Sequence, residues 1–221
     1  IMRIENLESS FILNPLIICN KEHRFLVREQ LEEISSSYSD IITEPVPRNT
    51  APAISIAALY ADEKYNEDVK LIILPSDHKI KNDNGFLESL KMSVIYCDEN
   101  RIITFGLEPD FPHTGYGYIQ KGETTQDDGQ ALYKVESFTE KPDIKKAKKF
   151  LESGNYLWNS GIFVIRSRTF IDSMKHVSES MIDQCIITLS GAKKDLDFLA
   201  LSEDDFKRTP SESICLLYTS P

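Results

Sequence analysis

Hydrophobic positions fall into short runs separated by longer amphipathic stretches, and the alternation predicts the order of elements. "PLIIC" (15–19), "DIIT" (40–43), "KLIIL" (70–74), "RIITFG" (101–106) and "GIFVI" (161–165) have strand length and β-branched content. "KLIIL" is apolar on both faces, which suits a central parallel strand covered by helices. In "KEHRFLVREQLEEI", helical spacing would turn Phe25, Leu26, Leu31 and Ile34 inward, with Asn20 placed as the cap. "APAISIAALYA" (51–61) is rich in small residues and predicts a helix lying close to a sheet. Thr50 is its expected N-cap, and Pro52 sits in the first turn, where a missing N–H costs little. "FLESLKMSVIYC" (86–97) predicts a further helix, so strand and helix alternate up to Gly106, the order of a layered α/β sheet.

Beyond Gly106 the texture changes. "YGYIQKG" and "ALYKVESFTEKP" read as antiparallel strands about a polar turn near Asp127–Gln130. "DIKKAKKFLES" predicts a helix capped by Asp143, with Ile144, Ala147, Phe150 and Leu151 inward, and residues 167–208 read as helices. No internal repeat or linker interrupts the chain.

Composition narrows the classes. A chain of 221 residues with 41% hydrophobic and 27% charged residues can bury a globular core. A net charge of −10 argues against a nucleic-acid surface. It leaves room for a small phosphorylated ligand held by a metal ion and a few local cations. Cys19, Cys97, Cys185 and Cys215 are scattered without zinc spacing and read as reduced thiols of a cytoplasmic protein. No apolar run approaches the ~20 residues of a membrane helix. "FILNPLIIC" is broken by Asn14 and Pro15 and makes a poor signal peptide. The opening on Ile1 suggests a fragment whose natural start lies upstream.

Several junctions carry candidate chemistry. "VKLIILPSDHKI" ends an apolar strand on Ser76, Asp77 and His78, where α/β sheets bind ligands; Asp77 reads either as a ligand for a hard cation or as a turn cap. "EPVPRNTAP" puts Arg48, Asn49 and Thr50 at a strand-to-helix junction, either an anion- and base-reading corner or a capped helix with a surface arginine. "HTGYGYI" could admit close backbone approach at Gly115 and Gly117 or be a twisted strand. "FTEKP" sets Glu140 beside Lys141, suited to sugar hydroxyls and a phosphate or to plain solvation. In "LWNSGIF", Trp158 reads as core and the Asn159 amide as a donor and acceptor for hydroxyls.

Taken together and in this order, "EPVPRNTAPAISIAAL", "LPSDHKI", "TFGLEPDFPHTGYGYI", "FTEKPD" and "SGNYLWNSGIFVIRS" resemble the mannose-1-phosphate guanylyltransferase family, closest to the long bacterial form often fused to a mannose-6-phosphate isomerase domain. The resemblance runs from about Pro15 to Ile214. It implies a nucleotide-diphospho-sugar transferase fold, a Rossmann-like mixed α/β sheet flanked by helices. It also implies synthesis of GDP-mannose and pyrophosphate from GTP and mannose 1-phosphate with Mg²⁺, and leaves a homo-oligomer open. By the same resemblance Asp77 is a metal ligand, and Arg48, Asn49, Thr50, Pro52 and Ser76 line the nucleotide. Gly115, Tyr116, Glu140 and Asn159 hold the sugar, and Lys141 binds the sugar phosphate. A non-catalytic module of the same fold, or a pyrophosphorylase for another sugar or base, are the alternatives.

Two departures stand out. The family's first strand and glycine-rich phosphate loop have no counterpart, since no glycine precedes residue 85, so a gap in the core is expected. After "PSESI" (210–214) the family places an aspartate, a second metal ligand, where this chain has Cys215. Residues 1–214 are therefore expected to be a partial nucleotidyltransferase domain, and "CLLYTSP" (215–221) a non-native junction. The chain as given is expected to show little or no transferase activity. Robust GDP-mannose formation by it from GTP and mannose 1-phosphate would overturn that expectation.

Overall fold

Parallel pairing starts where the first two apolar runs place it. β1 (Leu16–Asn20) and β2 (Asp40–Glu44) run side by side, Leu16 opposite Asp40 and Asn20 opposite Glu44. They are joined by a single 3-10 turn (Lys21–His23) and α1 (Arg24–Glu33). Asn20 caps that turn, its side chain accepting from the Glu22 N–H at 2.9 Å. The computed structural model describes residues 12–97, 101–127 and 130–215; the expected turn tip at 128–129 and the tail from 216 onward lie outside the described residues, as does the segment before residue 12.

The order continues with α2 (Thr50–Tyr65), β3 (Lys70–Ile73), α3 (Asp83–Tyr96) and β4 (Ile103–Leu107). A long hairpin follows, β5 (Tyr118–Asp127) with β6 (Gln130–Thr139), then α4 (Ile144–Ser153) and β7 (Tyr156–Arg166). The chain closes with α5 (Ser167–Ser190), β8 (Lys193–Asp195), β9 (Phe198–Ala200) and α6 (Glu203–Phe206). One sheet has the order β1-β2-β9-β8; in the other, β7 pairs with β3, β4 and β5, and β5 pairs with β6. Both feed one core. Leu16 and Ile18 of β1 and Leu71 and Ile73 of β3 pack against the cluster that Ile54, Ala58, Phe163, Ile165, Met174 and Ile182 build with α2 and α5. Each such large side chain, when fully buried, contributes about 1.5–3 kcal/mol. The architecture is mixed α/β, its sheets flanked by helices.

Five expectations are corrected. β3 pairs antiparallel with β7 and has that one partner among the described residues, so its side chains are only partly covered rather than central. Asn49, not Thr50, caps α2, because its side chain can reach back to accept the Thr50 N–H at 2.9 Å. The run of helices after 167 is interrupted by the β8–β9 hairpin, whose turn takes Leu196 to φ +56°. β9 adds in parallel to β2, which buries Phe198 beneath α1. The stripe on α1 is narrower than expected: Leu31 is buried, but Phe25 and Leu26 stay 46% and 52% exposed. Phe25 packs edge-on to Phe198 at 5.5 Å with the Arg24 guanidinium over its ring. In α4, Ile144 is likewise exposed because it opens the helix, while Ala147 and Phe150 are buried.

Asp68 locks the start of β3 to the end of β7. Its carboxylate accepts from Arg166 Nε at 2.7 Å, Ser167 Oγ at 3.2 Å and the Arg168 N–H at 3.0 Å. Burial alone would raise this carboxyl, but the hydrogen bonds and the Arg166 charge outweigh it and hold it below its ordinary value. Among the described residues no helix is long and apolar enough to cross a membrane.

Glu44, at the end of β2, is the opposite case. Its Oε1 is buried without a hydrogen-bond partner among the described residues, and burial pushes the carboxyl up to about 7. A folded value above the unfolded one gives stability that is complete below the unfolded value and is lost as pH rises through the folded one. Glu44→Gln should therefore match wild type near about pH 4 and melt at a higher temperature than wild type above about pH 7. Parallel thermal melts across that range check it; a pH-independent difference would show that Glu44 titrates normally.

Candidate functional site

The candidate site is built around a bend in β7. The Asn159 N–H donates to the Gly117 carbonyl at 2.8 Å, which fixes the entry of β5 beside β7. The Asn159 side-chain oxygen accepts from Thr104 Oγ1 at 3.3 Å and from the Gly161 N–H at 3.2 Å. Gly161 takes φ +72°, a region open to glycine without a Cβ penalty, and a Cβ there would lie 3.4 Å from Pro75 Cγ. The Pro75–Ser76–Asp77 turn that follows β3 is thus seated against the bend. Asp77 is 86% exposed, with its Oδ1 3.9 Å from His78 Nε2.

Gly117 permits the next approach. A Cβ on it would fall 2.5 Å from Phe138 Cζ and 3.0 Å from Glu140 Oε2. Glu140 is therefore held over the start of β5 at the end of β6. The chain then turns through Lys141 at φ +43°, leaving its Nζ 3.7 Å from Glu140 Oε1 with both side chains exposed. Left-handed backbone at a lysine costs free energy and collects where a side chain must be aimed.

The strand-to-helix corner before α2 joins this face through the segment at 210–215. Asn49 takes φ +67° and ψ −167°, a region residues other than glycine enter at about 1–3 kcal/mol. The Ile214 N–H donates to Thr50 Oγ1 at 3.0 Å, and the Ala51 N–H donates to the Glu212 carbonyl at 3.1 Å. Asn159 Nδ2 in turn donates to Cys215 Sγ at 3.7 Å. A seam of contacts so runs from Thr50 through Ile214 and Cys215 to Asn159, and on to Gly117 and Glu140. Two expected residues are less free than their motif suggested. Arg48 donates through Nη2 to the Lys207 carbonyl, and Pro52 is buried with its carbonyl facing Cys185 Sγ.

Some of the site was missed in the sequence. His113 stacks on Tyr116 with ring centroids 4.0 Å apart, and its Nδ1 accepts the Gly115 N–H at 2.9 Å. Phe111 packs edge-on to Trp158 at 5.1 Å, and Tyr116 meets the same ring at 5.3 Å. Trp158 is buried as expected, with its Nε1 unpartnered among the described residues. The only advance sign was the aromatic density of "DFPHTGYGYI" around its two glycines. Thr104 gave no sign at all.

A comparison with protein families matches residues 2–205 to the nucleotidyl transferase family. The chain belongs to that family. It is 41% identical over 217 residues to a mannose-1-phosphate guanylyltransferase of Salmonella montevideo, covering 97% of this chain and 45% of that protein. It is 39% identical over 200 residues to the xanthan biosynthesis protein XanB of Xanthomonas campestris, covering 90% of this chain and 42% of that one. The chain thus spans somewhat less than half the length of the curated relatives it matches. Among solved structures, a mannose-6-phosphate isomerase from Helicobacter pylori superposes with a TM-score of 0.84 at 28% identity, over 99% of this chain and 81% of that one. A mannose-1-phosphate geranyltransferase from Thermus thermophilus gives a TM-score of 0.78 at 24% identity, over 99% of this chain and 58% of that one, a likeness of fold.

Nucleotidyl transferases of this family generally use a divalent metal. Among the described residues no group of three or more His, Cys, Asp or Glu side chains is arranged to hold an ion. Cys215 does not fit a hard cation: burial, chiefly, and the nearby Glu140 charge push its thiol up, despite a hydrogen bond from Ser213. Asp77 fits only as the single carboxylate for an ion whose other ligands are water and phosphate oxygens, the usual habit of Mg²⁺. Gly117→Ala must displace Phe138 and Glu140 together. On the function proposed below, it should weaken sugar-phosphate binding about tenfold or more in the full-length protein while circular dichroism stays unchanged. Calorimetric titration with mannose 1-phosphate measures this, and unchanged affinity would show that the close approach is not needed.

Proposed function

We propose that this nucleotidyl transferase domain, in its full-length protein, serves the synthesis of GDP-mannose and pyrophosphate from GTP and mannose 1-phosphate. The observation that carries the reading is the seam from Thr50 to Glu140, which joins the nucleotide-side and sugar-side motifs on one face. The similarity to mannose-1-phosphate guanylyltransferases supports the choice of base and sugar.

In this reaction a phosphate oxygen of mannose 1-phosphate bonds to the α-phosphorus of GTP. The bond from that phosphorus to the β-phosphate oxygen breaks, and pyrophosphate leaves with the electron pair. No protein nucleophile is required, so the protein acts by alignment and by neutralising crowded charge. Lys141, aimed by its left-handed backbone, holds the attacking phosphate. Glu140 and Asn159 hold sugar hydroxyls, with Gly115 and Tyr116 closing the sugar side. Asn49, Thr50 and Ser76 face the nucleotide, Arg48 through the N–H groups that Lys207 leaves unused, while buried Pro52 shapes the start of α2. Mg²⁺, held by Asp77, would screen the α-phosphate charge. The free state of all the cysteines among the described residues is consistent with work in the reducing cytoplasm.

In the full-length protein, Asp77→Ala and Lys141→Ala should each lower kcat about 100-fold or more without loss of fold. Pyrophosphate release, followed with GTP and mannose 1-phosphate, measures it. Near-normal turnover in both variants would refute these roles.

A further inference from the structure

The densest positive charge on the chain lies on and just before α4. From Lys141 to Lys149 five of nine residues are lysines, with Asp143 the one acid among them and Glu140 and Glu152 at the borders, in a chain of net charge −10. Lys145, Lys146, Lys148 and Lys149 are exposed, while Ala147 and Phe150 bury the other face against Tyr118 and Trp158. None of the four makes an ion pair with a described residue; Lys146 alone has a ring contact, its Nζ 5.6 Å from the Phe150 centroid.

This arrangement works against the helix. Lys145 and Lys146 stand in the first turn, where the macrodipole favours acids. Lys145 with Lys148, Lys145 with Lys149 and Lys146 with Lys149 are like-charged pairs at helical spacing, each of them unfavourable. A merely solvated face would gain by mixing signs, as the Glu203–Lys207 pair does with Nζ–Oε1 at 2.8 Å. The stability of the helix therefore does not account for the cluster.

α4 opens three residues beyond Lys141, and its whole length is about 15 Å. At about 0.1 M salt the Debye length is about 10 Å, so much of the lysine face acts at Lys141 with little screening. A polyphosphate approaching an acidic protein is otherwise repelled. We infer that α4 is an electrostatic guide that draws phosphate-bearing substrates toward the Glu140–Lys141 end of the site, an inference that rests on the proposed function of that site.

The test compares two equal changes of charge in the full-length protein. Lys145→Gln with Lys149→Gln removes charge from α4, and glutamine keeps a helix propensity close to that of lysine. Lys193→Gln with Lys194→Gln removes the same charge from exposed β8, at the far edge of the other sheet. The α4 pair should lose roughly 3- to 10-fold in kcat/KM for GTP and mannose 1-phosphate at about 10–20 mM salt, with kcat unchanged. The gap should close near about 0.5 M salt, and the β8 pair should behave as wild type. An equal loss in both pairs, a gap that survives high salt, or a loss in kcat would overturn the guide. If wild type turned over neither substrate, the functional reading would fail instead. The guide would then be judged on this chain by nuclear magnetic resonance with paramagnetic cosolutes. An anionic cosolute should relax the amides of Lys141 and Lys145–Lys149 more than a neutral one, less so in the α4 pair; equal relaxation refutes the proposal.

Discussion

One strand has to satisfy three neighbours, and the rest of the site depends on how it does so. Along β7, Tyr156–Trp158 pair with β5 and Phe163–Arg166 pair with β3, while β4 follows both halves. Since β4 faces β3 across Phe163 and Val164, and faces β5 across Trp158, β3 and β5 must share one edge of β7. The change of partner falls between Asn159 and Phe163, where β4 also slips register. Gly161 absorbs the bend with its positive φ, and the Asn159 side chain accepts its N–H. A substitution there would strain the backbone that aligns three strands, and with them the turn at Asp77 and the start of β5.

Much of this was legible in residue patterns. The parallel β1–β2 pair, the small-residue helix α2 and the β5–β6 hairpin follow from local periodicity and turn chemistry, which act over a few residues. What escaped depends on distant partners. "KLIIL" looks central because it is apolar throughout, yet its pairing is decided by β7, almost a hundred residues later in the chain. Phe198 lies in a short run within a stretch that reads as helix, and only its place beneath α1 makes it a strand. The site shows the same split. Asn49 and Lys141 stood out by residue type and position, but their left-handed backbone did not. Thr104 and His113 matter through contacts with Asn159 and Gly115 that no spacing encodes.

The electrostatic problem is set by the same geometry. The molecule is acidic overall, yet among the proposed site residues only Arg48 and Lys141 are cationic, and Arg48 already gives one N–H to a backbone carbonyl. On the proposed function, neutralising two phosphate-bearing ligands falls to Lys141, to backbone N–H groups and to an ion shared between Asp77 and the ligands. Such a site would hold its two anions weakly without the ion, because each anion adds to the negative charge that the other meets.

Trp158 is the sole tryptophan of the chain, so its ultraviolet emission has one source. Its indole is walled by Phe111 and Tyr116 and stands next in sequence to Asn159. Any movement of the 111–117 segment alters the quenching groups around that ring. The molecule therefore carries its own optical gauge of the 111–117 segment, readable at micromolar concentration without a label and in the absence of turnover.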